Sequence, residues 1–260
     1  MVSVSIKATV DWACHPDSTA CSRARGLFAD WATISVAVLF LTLSLGHPAQ
    51  AEDRGVAYAG TTIGDGLSSY AGVTRNALFS LAGQPIGGSL SGSGGTYHYA
   101  DDNGSTIHGE YRSVSAGLNM ELTNDHGWAS LSLGPRLYYT HHRPSPSPNE
   151  DGQHITAWFG LDGSYMISQH WRIETLEQYG VGNREYQARV SLSKVVGRHD
   201  LRFGWDLATQ GDRTYSNSST GLFAARQLTR NIQLRASGGE LFERSGRKTP
   251  YVALELTTSY

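Results

Sequence analysis

The stretch YVALELTTSY, Tyr251–Tyr260, alternates apolar or aromatic side chains with polar or small ones and ends on an aromatic residue. Val252, Leu254, Leu256 and Tyr260 share one parity along it. Because successive side chains of a β-strand point to opposite faces, the stretch predicts a strand with one apolar face and one polar face. The fold then depends on which of the two faces is turned toward water.

The same alternation recurs along the chain beyond Gly46. From Trp128 to Tyr139, for example, Leu131, Leu133 and Leu137 share one face, and clusters of Gly, Asn, Asp, Ser and Pro separate such segments. The pattern predicts twelve strands, at about 54–63, 71–84, 91–100, 106–122, 127–140, 154–167, 170–180, 185–195, 200–209, 219–228, 231–240 and 250–260. Ten strands remain an alternative, because the glycine-rich segment Leu81–Gly95 can also be read as a flexible turn.

Two architectures accommodate strands of this kind. A water-soluble sandwich buries the apolar face, whereas a transmembrane barrel turns it toward lipid and encloses a polar lumen. Three observations favour the barrel. Several segments reach the ~9–11 residues that a tilted strand needs to cross a bilayer. Charged residues occur in mid-strand, and short connections alternate with longer ones at His141–Gln153, Thr209–Ser219 and Phe242–Pro250. We therefore predict an all-β, antiparallel transmembrane β-barrel whose last strand pairs with its first, which leaves no open edge.

The N-terminal region has the order of features found in a secretory signal. A nearly uninterrupted apolar run, Trp31–Gly46, follows three basic residues and precedes Ala49-Gln50-Ala51, a small-x-small cleavage site. A membrane anchor is the alternative, but the run is shorter than the ~20 residues of a spanning helix. We expect cleavage after Ala51, so that residues 1–51 are a signal peptide and residues 52–260 form the barrel in the outer membrane of a Gram-negative bacterium.

Composition narrows the classes of partner. The formal net charge is only −2, and 17% of the residues are charged, so nothing points to a nucleic-acid partner. Both cysteines, Cys14 and Cys21, precede the apolar run, so the exported chain would contain no disulfide. The expected partners are instead outer-membrane lipid and the barrel assembly machinery. We interpret Leu254, Leu256 and the terminal Tyr260 as a C-terminal insertion signal, similar to that of bacterial outer-membrane barrels.

The polar faces of the predicted strands supply the candidate site. Their charged and aromatic residues would line the lumen and could contact a polymer by hydrogen bonds and ring stacking. These candidates are Arg136, Tyr138, Trp158, Asp162, Arg189, Arg202, Asp206 and Arg235. An equally weighted alternative is that the charges neutralise one another and plug the barrel.

Signs of catalysis are weak in this sequence. His141-His142 lies in a predicted loop, where histidines are usually solvated, and the region after Ala51 has neither Cys-x-x-Cys nor His-Glu-x-x-His. Gly-x-Ser-x-Gly is absent too, since Gly88–Gly92 reads GSLSG. We predict no catalytic residue, no metal and no cofactor, and hence a protein that is not an enzyme.

Several ordered stretches resemble the BcsS family of bacterial cellulose biosynthesis proteins. They are GVAYAGTTIG (Gly55–Gly64), GGTYHY (Gly94–Tyr99), SPNED (Ser147–Asp151), AWFGLDGSYMI (Ala157–Ile167) and YGVGNREYQARVSL (Tyr179–Leu192). The resemblance implies an exported, β-rich accessory protein that assists export or surface organisation of the glucan, with cellulose or the cellulose synthase complex as a partner. The alternatives are a general porin-like channel or structural barrel and, less favoured, a membrane-embedded lipid hydrolase.

Overall fold

The computed structural model describes residues 55–100, 104–144, 151–182, 184–197, 201–212, 215–244 and 246–260. The predicted signal peptide, residues 1–51, lies outside the described residues, as do positions 145–150 of the proline-rich segment. Within the described ranges, no helix is both long and apolar enough to cross a membrane.

Twelve antiparallel strands of the described residues form a single closed wall, which confirms the predicted all-β antiparallel barrel and its number of strands. Each strand pairs with its neighbours in the chain, and β1 pairs with β12. The strands are β1 (Gly55–Ile63), β2 (Leu67–Leu81), β3 (Gln84–Ala100), β4 (Thr106–Asn124), β5 (Gly127–Arg143), β6 (Gly152–Ser168), β7 (Trp171–Gly180), β8 (Glu185–Val196), β9 (Leu201–Gly211), β10 (Ser216–Gln227), β11 (Ile232–Glu243) and β12 (Lys248–Ser259).

The seam between β1 and β12 covers almost all of β1 and the last eight residues of β12, from Val56 opposite Ser259 to Ile63 opposite Val252. At its end the Gly55 N–H donates to the Tyr260 carbonyl at 2.9 Å, and the Tyr260 N–H donates back at 3.0 Å. The stretch that opened the sequence analysis is therefore one side of the closure. The twelve described strands leave no edge to pair with another chain.

The glycine-rich segment Leu81–Gly95 consists of a two-residue hairpin turn and the first part of β3, with no long loop between the strands. Ala82 and Gly83 have φ of 50° and 80°, the left-handed pair that a two-residue hairpin turn requires. The predicted boundaries at positions 84 and 91 were therefore wrong, because β3 begins at Gln84. Glycine permits this continuation at Gly87, where a Cβ atom would collide with the Arg75 carbonyl oxygen of β2.

The connections fall into two sets at opposite ends of the wall. The turn end carries segments 82–83, 125–126, 169–170, 197–200 and 228–231, together with the seam contact of Gly55 and Tyr260. The loop end carries 64–66, 101–105, 144–151, 181–184, 212–215 and 244–247. The longer loops that we predicted are shorter in the structure, because backbone pairing continues into them: β5 extends to Arg143 and β10 already begins at Ser216.

The two faces of the wall differ in polarity as the alternation predicts. Large apolar side chains are exposed on the outer face, including Leu133 at 58%, Phe203 at 51% and Val252 at 66%. Charged side chains such as Arg202 and Arg235 are buried on the inner face, at 1% and 6% exposure. The apolar face of the wall is therefore on the outside of the barrel, and the polar face is on the inside.

Candidate functional site: the barrel lumen

All eight predicted lumen residues lie on the inner face of the wall. Strand alternation places them there, and four of them are nearly inaccessible: Trp158, Arg202, Asp206 and Arg235 are each 6% exposed or less. The structure brings most of the charged ones into ion pairs. Their contact with a glucan stays a prediction.

The largest group of paired charges is the β7–β11 charge cluster, formed by Glu174, Arg202, Asp206 and Arg235. Arg202 Nη1 donates to Glu174 Oε1 at 2.5 Å, and Arg235 Nη1 donates to Glu174 Oε2 at 3.2 Å. Arg235 Nη2 also pairs with Asp206 Oδ1. The Arg235 guanidinium lies 3.6 Å from the ring centroid of Phe223. Pairing and hydrogen bonding offset the desolvation that charges suffer in such a place.

Arg189 and Arg136 form two further networks. Arg189 Nη1 donates to Glu255 Oε2 at 3.1 Å, and the Tyr70 hydroxyl donates to the same oxygen at 2.6 Å. This second bond joins β2 to β12 across the first strand of the wall. Arg136 Nη1 donates to Glu185 Oε1 at 3.0 Å.

Arg136 also connects the charges to the aromatic residues of the lumen. Its other guanidinium nitrogens donate to Gln178 Oε1 and Ser115 Oγ, both at 2.8 Å. Its Cζ lies 5.4 Å from the Trp158 ring, a cation–π distance. A Cβ atom at Gly117 would approach Trp158 Cζ2 to 3.0 Å, so the indole lies close against the wall.

Two acidic residues do not follow the expected pairing. Among the described residues Asp162, a predicted site residue, forms no ion pair; it faces Ser130 of β5 and Leu176 of β7 in the sheet register. Alternation from the inward Glu174 places Glu177 on the outer wall, beside the exposed Tyr179. Glu177 therefore faces away from the lumen.

A second group of side chains fills the lumen near the loop end, and we call it the loop-end aromatic cluster. The Tyr97 and Tyr99 rings stack at 6.0 Å and 20°, and the Tyr111 and Tyr138 rings stack at 6.3 Å and 24°. Tyr97 also lies 5.2 Å from Tyr215. The cluster comprises Tyr97, Tyr99, Tyr111, Tyr138, His142 and Tyr215.

Sequence reasoning singled out only Tyr138 from this cluster. Tyr97 and Tyr99 share a parity within GGTYHY, and this was the one local signal that could have indicated a pair on the inner face. Tyr215 fell inside a predicted loop, Thr209–Ser219. Burial raises the pKa of its hydroxyl, which is therefore neutral near physiological pH.

His142 is a buried strand residue that holds the cluster together by hydrogen bonds. The expectation that both His141 and His142 are solvated loop residues was therefore wrong for His142. His142 is 5% exposed. Its Nε2 is hydrogen-bonded to the Tyr97 hydroxyl at 2.8 Å, and its Nδ1 to Asp151 Oδ1 at 2.7 Å. In the part of the chain that the structure describes, no three potential ligands come together as a metal site.

Comparison with protein families gives one match. The family described as "Cellulose biosynthesis protein BcsS" matches residues 56–260, which is the whole barrel apart from Gly55. A search of the curated proteins returned no match.

Among solved structures, the chain is similar to several barrels at low identity. A KdgM porin has 10% identity and a TM-score of 0.43, covering 79% of this chain and 99% of that chain. The COG4313 outer membrane channel from Pseudomonas putida F1 has 11% identity and a TM-score of 0.49, covering 82% and 97%. The translocator domain of autotransporter NalP from Neisseria meningitidis has 11% identity and a TM-score of 0.44, covering 91% of this chain and 97% of that chain.

Substitution of Arg235 by Met tests the β7–β11 charge cluster. The change leaves Asp206 buried without its cation and removes one of the two arginines on Glu174. We expect the free energy of unfolding, measured by urea titration of the refolded barrel, to fall by about 3–5 kcal/mol.

The matched control is Arg226→Met, which changes an exposed arginine of the neighbouring strand β10. It should alter the free energy of unfolding by no more than about 0.5 kcal/mol. Equal losses in the two variants would show that the buried ion pairs contribute nothing specific.

Proposed function

This chain belongs to the BcsS family of cellulose biosynthesis proteins, and from this premise we propose that it is an outer-membrane barrel that assists export or surface organisation of the glucan. The observation that carries the proposal is the extent of the family match. It covers the closed wall from β1 to β12, so the family's association with cellulose belongs to the barrel itself.

The proposed location rests on the polarity of the wall. A bilayer tolerates a spanning sheet only if its backbone hydrogen bonds close and its outward side chains are apolar. The seam meets the first requirement, and outward residues such as Leu133, Phe203 and Leu254 meet the second. Residues 1–51 would direct export, and the barrel assembly machinery would insert the strands.

The proposed cargo rests on the chemistry of the lumen. A glucan chain is neutral, so its recognition depends on hydrogen bonds and on stacking against aromatic faces rather than on net charge. The four predicted lumen arginines are paired with Glu174, Glu185, Asp206 and Glu255, which limits the net field that a passing chain would meet. Cellulose or the cellulose synthase complex is therefore the proposed partner.

A non-enzymatic role agrees with the way in which the carboxylates of the β7–β11 charge cluster are used, although Asp162, elsewhere in the lumen, forms no ion pair with a described residue. A glycoside hydrolase needs one protonated and one ionised carboxyl group free to flank the sugar bond. Glu174 and Asp206 are instead held by Arg202 and Arg235. Carboxylates in such ion pairs connect strands of the wall and are not free to act as the acid and base of a hydrolysis.

Deletion of the gene, followed by measurement of extracellular cellulose, tests the proposal. We expect cellulose on the cell surface to fall and to recover when the wild-type gene is restored. Unchanged cellulose would overturn the role. If the purified protein nevertheless conducted ions across planar bilayers, the general porin-like channel would take its place.

Arginine substitution on the outer face tests the membrane location. Leu133→Arg should hinder assembly by roughly 2–4 kcal/mol, because a charge in the middle of β5 then faces hydrocarbon, and Phe203→Arg, only two residues from the turn-end start of β9, should hinder it less. The measurement is the amount of folded barrel in isolated outer membranes, and Leu133→Met and Phe203→Leu are the matched controls. Wild-type amounts of both arginine variants would place these side chains away from lipid.

The proposed insertion signal is tested at Tyr260. Tyr260→Ser removes the terminal aromatic ring but keeps the backbone hydrogen bonds to Gly55, so it separates recognition of the tail from closure of the seam. We expect slower insertion of newly made protein and normal insertion for Tyr260→Phe. Indistinguishable insertion rates of the serine variant and the wild type would remove Tyr260 from the signal.

A further inference from the structure

We propose that the loop-end aromatic cluster is a binding site for a neutral hexose polymer, in which the ring of Tyr215 covers the sugar-stacking face of Tyr97 until a sugar ring replaces it. The inference rests on the proposed function for the identity of the polymer. It goes further in assigning the site, the residues and the competing side chain.

Tyr97 has the geometry of a stacking platform. A Cβ atom at Gly109, its register partner on β4, would collide with the Tyr97 ring. One face of the ring therefore lies against bare backbone, and the other faces the lumen. The hydroxyl is held by His142, and His142 is held by Asp151, so the ring is fixed at both its face and its tip.

The platform continues along the wall toward the interior. Tyr111 lies 6.2 Å from Tyr97, and Tyr138 stacks with Tyr111 at 6.3 Å. Arg136 follows two residues further along β5 from Tyr138, away from the loop end. Three tyrosines on three successive strands thus form a track of aromatic surface that leads from the loop end to the charged part of the lumen.

Tyr215 reaches Tyr97 from the other side of the barrel. It precedes β10, which stands nearly opposite β3 in the closed wall. The two rings are 5.2 Å apart and tilted by 33°, and Tyr215 also lies 6.0 Å from Tyr99. The ring of Tyr215 therefore occupies the space in front of the platform, where a sugar ring would stack.

The two rings are held by separate parts of the wall. The Tyr215 N–H donates to Asp212 Oδ1 at 2.9 Å, and its hydroxyl contacts Asn217 Nδ2. Within the described residues, no hydrogen bond joins Tyr215 to Tyr97. Ring contact alone links them, so a flat, apolar face of a sugar can replace that contact without breaking a hydrogen bond between the two tyrosines.

Charge favours a neutral polymer over an acidic one. Asp151 is hydrogen-bonded to the His142 that contacts the Tyr97 hydroxyl, and Asp212 accepts from the Tyr215 N–H. The cluster itself contains no lysine or arginine, and its histidine is hydrogen-bonded to Asp151. A uronic acid polymer would bring carboxylates toward these two aspartates, and like charges at short range repel.

Titration of the purified, folded barrel with cellohexaose tests the site, with binding followed calorimetrically in detergent. Tyr97→Leu should weaken binding at least about tenfold, because the platform is lost. Tyr97→Phe keeps the ring and should stay within about threefold of wild type. Tyr215→Ala should bind about three- to tenfold more tightly, because the competing ring is gone. The matched control Tyr179→Leu removes an exposed tyrosine of the outer wall and should change nothing.

The opposite signs of the Tyr97 and Tyr215 variants distinguish the proposal from a merely structural cluster. No cellohexaose binding by the wild type, or weaker binding in Tyr215→Ala, overturns it. So does equal or tighter binding of an acidic hexuronate oligomer. If Tyr97→Leu fails to fold, the Tyr215→Ala result alone decides. Failure of binding alongside a cellulose defect in the deletion strain removes this site and leaves the proposed function. If the Tyr97 and Tyr215 variants change cellohexaose binding as expected but the deletion strain has no cellulose defect, the site stands and the proposed function is removed.

Discussion

Pairing of β1 with β12 is the constraint on which the rest of this structure depends. Once Gly55 and Tyr260 exchange backbone hydrogen bonds, every strand has two neighbours and the wall has an inside and an outside. Strict alternation along the strands then sorts the side chains. Apolar ones such as Val252 and Leu254 point outward, and polar ones such as Glu255 point inward. The described residues include no cysteine, so closure by hydrogen bonds takes the place of a covalent staple.

The interior is organised in layers along the barrel axis rather than filled uniformly. The loop-end aromatic cluster comes first, Arg136 with Trp158 follows, and the β7–β11 charge cluster lies deeper. Most of the charged groups in these layers are paired locally, although Trp158 Nε1 and Arg202 Nε are buried without a hydrogen-bond partner among the described residues. The same arrangement gives a neutral polymer a sequence of ring faces followed by a set of already paired charges. This is the physical content of the proposed link to cellulose.

The sequence predicted what depends on local pattern and missed what depends on register. The twelve strands and their two faces follow from alternation, which any short segment displays. The ion-pair partners do not follow from alternation, because Arg235 lies 61 positions from Glu174 and Arg136 lies 49 positions from Glu185. His142 was assigned to a loop, since nothing local indicates that pairing continues into the proline-rich segment. Tyr215 does lie in the connection 212–215, but nothing local indicates that its ring contacts Tyr97. The hairpin at Ala82–Gly83 was missed for a related reason, because the many glycines that follow it obscure the turn.

Closure of the wall by its first and last strands also sets the order of events during folding. Tyr70 and Glu255, joined across the seam, are separated by 185 positions, so this contact cannot form until nearly all of the barrel has been delivered. Neighbouring strands of a hairpin can pair early because the loop that they close is short. The seam closes the longest loop in the wall and therefore has the largest entropic cost of loop closure. Until that moment the nascent sheet has two unpaired margins and is at its most vulnerable to mispairing. Selection on the rate of synthesis and delivery should therefore act most strongly on the final hairpin.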